Sequence, residues 1–250
     1  MIANYHTHTK WCGHAVGEIE DYIETAIDEG FVELAITEHV PHRGNPDRHR
    51  MPWEDFHDFN RCLDDAIDMY GDRISLIKGF ECEYSPEHMN DYIMFRHEYG
   101  YRLMGLGQHD VGPGHSIFMF SRNKPDIAVR YYADDVCAGL ETGFFDFLAH
   151  PELLLYRYGG GFDAECETAF RQIFSCCEKL DIPLEINGSG YLEGRDYPSA
   201  DALILSKDYK LKYMINMDAH DPQLLRKRFT SQVKSFADSL GIHVEPRYFG

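Results

Sequence analysis

Basic residues are scarce in this chain: 24 lysines and arginines stand against 42 aspartates and glutamates among 250 residues, a formal charge of -18. Such a balance repels a phosphate backbone, and no Lys/Arg-rich stripe offsets it locally, so general nucleic-acid binding is disfavoured. No apolar run approaches the roughly 18 residues needed to span a bilayer. The amino terminus, Met1-Ile2-Ala3-Asn4-Tyr5-His6, lacks the basic region and apolar stretch of a secretory signal. A soluble, cytoplasmic protein with no membrane partner is expected. There is no Cys-x-x-Cys pair. The seven cysteines (Cys12, Cys62, Cys82, Cys137, Cys166, Cys176, Cys177) are odd in number and irregularly spaced, which fits a reduced compartment and small buried side chains better than a disulfide framework. Internal repeats, low-complexity segments and linkers are missing too, so residues 1–250 read as one domain, a length that α/β barrels commonly reach undivided.

What the chain does contain is a recurrence. Seven short apolar runs each end in, or just before, a His, Glu, Asp or Asn. They are Ala3 to Tyr5 before His6 and His8, Leu34 to Ile36 before His39, Ile74 to Phe80 before Glu81, Leu103 to Gln108 before His109, Phe144 to Ala149 before His150, Pro183 to Ile186 before Asn187, and Tyr213 to Met217 before Asp218 and His220. Helical spacing of apolar residues covers roughly 18–29, 54–70, 87–99, 125–141, 164–180, 198–209 and 222–240. Gly30, Gly71, Gly100, Gly143 and Gly241 follow five of these segments, as residues able to take the left-handed conformation that ends a helix. Strand and helix thus alternate seven times, the pattern of parallel β-α units. An open doubly wound sheet would gather its site at one switch point, whereas ligand-type residues at six of seven strand ends favour a closed barrel. The expected fold is α/β, a distorted seven-stranded TIM-like (β/α) barrel. Gly159-Gly160-Gly161 reads as a loop and carries no nucleotide-binding spacing.

In an extended segment, residues two apart share a side, so His6 and His8 can face one ion. Asp218-Ala219-His220 joins them from the last strand. His14, His39, Glu81, His109 and His150 complete a set of seven histidines and two carboxylates. One ion with four to six ligands would leave several of these unused, so the set asks for two or three. Mixed nitrogen and oxygen donors suit zinc, manganese and iron alike.

With these residues in view the chain resembles the polymerase-and-histidinol-phosphatase (PHP) superfamily, and within it the histidinol-phosphate phosphatases. The likeness rests on His6-Thr7-His8, Thr37-Glu38-His39, Gly143 to Asp146 leading to Ala149-His150-Pro151-Glu152, Pro183 to Gly188, and Asp218-Ala219-His220-Asp221-Pro222. The resemblance implies a barrel holding three divalent metals. The first would sit on His6, His8, Glu81 and Asp218, the second on Glu81, His109 and His150, and the third on His14, His39 and His220. It also implies phosphate-binding roles for Arg157 and Arg195, whose planar forks suit the ligand.

Hydrolysis of a phosphate monoester needs a nucleophile at neutral pH, charge compensation on the phosphoryl oxygens and a proton for the leaving alkoxide. Two ions would supply the first two by acidifying a bridging water and clamping the phosphate. His42, in the loop after His39, is a candidate general acid for the leaving oxygen. Arg43, Arg48 and Arg50 form a small basic cluster suited to a lid. Asp221 reads as a helix-starting residue before Pro222. The leading expectation is hydrolysis of L-histidinol phosphate to L-histidinol and phosphate. The alternative is a phosphatase or phosphodiesterase of the same superfamily acting on nucleotides or other small phosphate esters. A non-catalytic metal-binding barrel would not require the complete ligand set and two phosphate-directed arginines. Oligomeric state is not encoded in any readable way.

Overall fold

The computed structural model describes residues 2–44, 48–111, 116–117, 127–158 and 161–249, with Arg157 and Ile127 described by backbone alone. Seven parallel strands run in sequence order: β1 (Ala3–Asn4), β2 (Glu33–His39), β3 (Ser75–Cys82), β4 (Leu103–Leu106), β5 (Phe147–Leu148), β6 (Leu184–Asn187) and β7 (Tyr213–Asn216). Each expected strand is present. Because these strands are covered on both faces, they read as continuous apolar runs rather than alternating ones.

The sheet curls until β7 meets β1, and the seam is irregular. Among the described residues, only Thr7 and Ala219 form a parallel bridge there. Beside it two asparagines stitch the backbones reciprocally: Tyr5 N donates to Asn216 Oδ1 (2.9 Å) and Met217 N donates to Asn4 Oδ1 (2.7 Å). Side chains thus stand in for a missing ladder, which closes a seven-stranded barrel with a distortion at one joint.

The helices are α1 (Ile19–Asp28), α2 (Phe56–Tyr70), α3 (Met89–Glu98), α4 (Ile127–Glu141), α5 (Leu155–Tyr158), α6 (Ala164–Leu180), α7 (Gly188–Leu192), α8 (Ala200–Ser206) and α9 (Lys227–Ser239). The short α5 and α7 follow strand ends and were not legible as amphipathic segments. The expected 222–240 helix is broken at Arg226, whose extended ψ of 141° separates a 3-10 turn at Pro222–Leu225 from α9. Gly71 also departs from expectation: it stays right-handed, at φ -63°, while Gly30, Gly100, Gly143 and Gly241 turn left-handed. Residues 125 and 126, His115, Gly159 and Gly160 lie outside the described residues.

Two apolar clusters hold the architecture. The larger lies between sheet and helices, built on buried aromatics such as Phe59, Phe80, Phe95 and Phe170. The smaller fills the barrel interior with Tyr5, Ile77, Leu103, Phe147 and Met214, and Tyr248 and Phe249 pack against it. With the interior filled from the amino-terminal end, the polar strand tips face a separate compartment at the other end. All seven cysteines are free thiols.

Candidate metal centre

Register brings the strand tips together. In the β2–β3 ladder His39 stands directly beside Glu81, and Glu81 is the meeting point of the site. Its Oε2 lies 3.3 Å from His6 Nε2, 3.4 Å from His8 Nε2 and 2.9 Å from His39 Nδ1. Its Oε1 lies 2.6 Å from His150 Nε2 and 3.8 Å from His109 Nε2. From beyond β7, Asp218 Oδ1 faces the same first pair, 3.6 Å from His6 Nε2 and 3.2 Å from His8 Nε2. Gly107 makes room: a Cβ there would stand 2.0 Å from Glu81 Oε1. Two of the ligand-type residues, His150 (φ 27°) and Asp218 (φ 47°), occupy the left-handed region that non-glycine residues avoid.

The spacing fits a cation. The four N···O separations among His6, His8, Glu81 and Asp218 run from 3.2 to 3.6 Å, and a tetrahedral ion with ligand bonds of about 2.0–2.1 Å requires edges of about 3.3 Å. Proton placement points the same way. His14 Nδ1 is 3.1 Å from the Cys12 carbonyl and His220 Nδ1 is 3.0 Å from the Asp218 carbonyl. A carbonyl only accepts, so both Nδ1 atoms carry the proton and both Nε2 atoms of the neutral rings are bare lone pairs. Those two Nε2 atoms face one another at 2.9 Å, an arrangement that a shared cation satisfies. His6 and His109 follow the same rule, turning Nδ1 to Glu185 Oε1 (2.8 Å) and Glu83 Oε1 (3.1 Å) and Nε2 toward Glu81. Among the described residues, His6 Nε2, both nitrogens of His8 and His150 Nδ1 are buried without a hydrogen-bond partner.

Charge is distributed to match. Burial opposes ionisation of Glu81 and Asp218, yet His39, His6, His150 and His109 around the first, and His6, His8 and His220 around the second, hold both carboxyls well below the usual range. Burial likewise opposes a charged His6, but Glu185, Asp218 and Glu81 raise its pKa well above normal. His8 is raised to about 9, with Asp218 and Glu38 outweighing burial. His220 falls to about 3 because burial and the neighbouring His8 disfavour its charge. This is a pocket that collects positive charge and offers neutral imidazoles beside it.

All nine expected ligands therefore converge, though His39 sits differently from the family-derived grouping. Its Nδ1 points at Glu81, and its ring stacks on both His8 (4.3 Å) and His14 (5.4 Å), so it lies between the first and third groups. Cys12 approaches the third group, its Sγ lying within 4.8 Å of a ring nitrogen of His14 and of His220. Its thiol is pushed up to about 12 by burial and by Glu38, which keeps it protonated. Cys82 lies in the core beside Met104.

A cavity of about 1750 Å³ opens over the cluster, lined by seven of the nine together with His42, Arg50, Glu83, Arg195, Tyr197 and Asp221. Arg195 is held by Glu193 through Nε (2.6 Å) and by the Tyr197 hydroxyl (2.5 Å), with its face toward Tyr156. The side chain of Arg157 lies outside the described residues; its backbone is in α5. Arg50 is paired to Glu83 at 2.8 Å, whereas Arg43 pairs with Asp91 and covers Trp53. Of the basic cluster only Arg50 lines the cavity. Asp221 accepts from Gln223 N and so starts the 3-10 turn. His42 stacks on His88 at 3.8 Å, and its Nε2 lies 3.1 Å from the Tyr92 hydroxyl, which is itself 2.9 Å from the Glu83 carbonyl. That hydroxyl spends its proton on the carbonyl, so His42 donates through Nε2. Burial and Arg50 push its pKa down to about 4. A general-acid role thus requires that His42 gain its proton along with an anionic ligand.

Sequence reasoning missed Glu38, Glu83 and Glu185, the carboxylates behind His8, His109 and His6. The signal was present in Glu185, a charge between Leu184 and Ile186 in a strand buried on both faces.

Residues 4–189 match the PHP domain model. A probable histidinol-phosphatase of Deinococcus radiodurans is 22% identical over 99% of this chain and 97% of its own length. A probable histidinol-phosphatase of Schizosaccharomyces pombe is 26% identical over 97% of this chain and 88% of its own length. Among solved structures, histidinol phosphate phosphatase from Lactococcus lactis, complexed with zinc, L-histidinol and phosphate, superposes with a TM-score of 0.73 at 16% identity, covering 97% of this chain and 94% of that one.

Proposed function

Since the chain belongs to the PHP domain family, we propose that it is a metal-dependent phosphoric monoester hydrolase that converts L-histidinol phosphate to L-histidinol and phosphate, a step of histidine biosynthesis carried out in the cytoplasm by a single barrel domain spanning residues 1–250. The observation that carries this reading is the cluster of inward-facing histidine nitrogens around Glu81 and Asp218, open to a cavity that also contains Arg195. The end-to-end likeness to probable histidinol-phosphatases supports the substrate.

The nine side chains His6, His8, His14, His39, Glu81, His109, His150, Asp218 and His220 would hold three divalent ions, zinc first among zinc, manganese and iron. Bound together, such ions activate water and compensate charge on phosphoryl oxygens. The protein's own residues do the rest. Arg195, preset by Glu193 and Tyr197, directs its remaining N–H groups at phosphate, and Arg157 is its proposed partner. His42 holds one proton on Nε2 and takes a second as the substrate dianion enters, since an adjacent negative charge favours the imidazolium; it then donates to the leaving alkoxide. The buried barrel floor excludes water from the opposite side.

Steady-state phosphate release from L-histidinol phosphate, beside nucleotide, sugar and amino-alcohol phosphates, tests the substrate. A kcat/KM on the order of 10⁴ M⁻¹s⁻¹ or more, well above the panel, is expected of an enzyme on its own substrate. Even, weak turnover across the panel would reject histidinol phosphate and direct attention to nucleotides and diesters.

A further inference from the structure

Glu185 is fully buried as the second residue of β6, and four donors from four strand ends converge on its two oxygens. His6 Nδ1 (2.8 Å) and Asn216 Nδ2 (3.1 Å) reach Oε1; the His150 backbone N–H (2.8 Å) and Asn187 Nδ2 (2.9 Å) reach Oε2. From this convergence we infer that Glu185 is a positioning residue for the ion cluster, fixing which nitrogen of His6 faces inward, holding the His150 backbone in its left-handed conformation and, through Asn187, holding the Asp218 carboxylate in place. The inference rests on the reading of the cluster as a metal centre.

The geometry makes three connected demands. By accepting from Nδ1, Glu185 leaves His6 Nε2 as the nitrogen that faces Glu81 and Asp218 and that an ion would take. By accepting from the His150 N–H, it satisfies the backbone at the residue whose φ of 27° carries strain. Through Asn187, whose Nδ2 also lies 3.1 Å from Asp218 Oδ2, it couples to the second strained ligand. Asn187 cannot swing away, because its Oδ1 accepts from Gly190 N to start α7. One carboxylate thus sets three ligands on three different strands.

The four donors also define what this position tolerates. An ionised carboxylate is acceptor-only, with about four lone-pair sites, and all are used here. Glutamine has nearly the same shape but presents an NH₂ to two of the four donors. A residue needed only for packing would accept Glu185→Gln; a residue needed for acceptor count would not.

Two measurements on the full-length protein decide the matter. Zinc affinity of wild type and Glu185→Gln, read by elemental analysis after equilibration with a competing chelator, is expected to fall about 10–100-fold in the variant, with circular dichroism unchanged. Affinity within twofold of wild type would overturn the inference. Should the variant not fold, the wild-type zinc protein still answers: ¹⁵N-histidine NMR, with His6 identified by the signal lost in His6→Gln, is expected to show His6 protonated at Nδ1 and metallated at Nε2. The opposite tautomer would overturn it. Both readouts use zinc alone, so an active-site failure on L-histidinol phosphate would count against the substrate and leave this test intact.

Discussion

At the scale of single residues the site is governed by space and by proton accounting. Gly107→Ala would place a methyl against Glu81, whose oxygen stands 2.0 Å from that Cβ position, so Glu81 must leave its place between His6 and His150. Loss of bound ion and a fall in kcat of about 100-fold or more are expected, since misplacing a reacting group by an ångström costs on that order; circular dichroism should remain native. Wild-type ion content in this variant would contradict the role given to Glu81. Glu152, two residues after His150, offers a test of the electrostatics beneath the site. It is fully buried, neither oxygen has a hydrogen-bond partner among the described residues, and burial, aided by Glu185, raises its pKa from 4.5 to about 8. A raised folded-state value means that its contribution is present below pH 4.5 and is lost as pH climbs toward 8. Glu152→Gln should therefore gain stability relative to wild type as pH rises from 5 to 8.5, read as a growing difference in Tm; a constant difference would exclude this charge as the cause.

At the scale of elements, the sequence made all seven strands legible, because each buried run stops at a polar residue and a glycine or helical period follows. What escaped was whatever depends on partners distant in sequence. Nothing local marks Asn4 and Asn216 as the stitches of the β7–β1 seam, 213 and 211 residues from the backbone groups they accept. The nine candidate donors that the structure brings together were readable because chemistry limits metal donors to few residue types. The supporting carboxylates Glu38 and Glu83 were not, since a glutamate beside a strand end has ordinary solvated uses. The short α5 and α7 escaped because one turn of helix has no period. Asn4→Ala tests the seam: it strands the Met217 N–H and removes two donated bonds from Asn4 Nδ2, to His6 O and Thr7 Oγ1. A loss of roughly 2–4 kcal/mol in urea unfolding is expected from leaving buried groups unsatisfied; a loss under about 0.5 kcal/mol would mean that the seam closes without it.

At the scale of the whole molecule, a barrel plugged at one end and lined with ligand donors at the other divides stability from chemistry. Ion uptake should link the two through pH. In the chelated protein His8 holds a proton up to about pH 9, and an incoming ion must displace it. Apparent zinc affinity should accordingly strengthen as pH rises from 6.5 toward 9, with proton release on binding; affinity independent of pH would contradict this environment for His8. The converged strand ends are proposed to form a centre whose ions make the protein a phosphatase. The most direct measurement is phosphate release from L-histidinol phosphate before chelation, after chelation and after stepwise return of zinc, manganese or iron. Activity should be abolished by stripping and restored in proportion to ions bound, with Asp218→Ala unrestored at any concentration. Full turnover by the stripped protein, or by Asp218→Ala, would contradict this proposal.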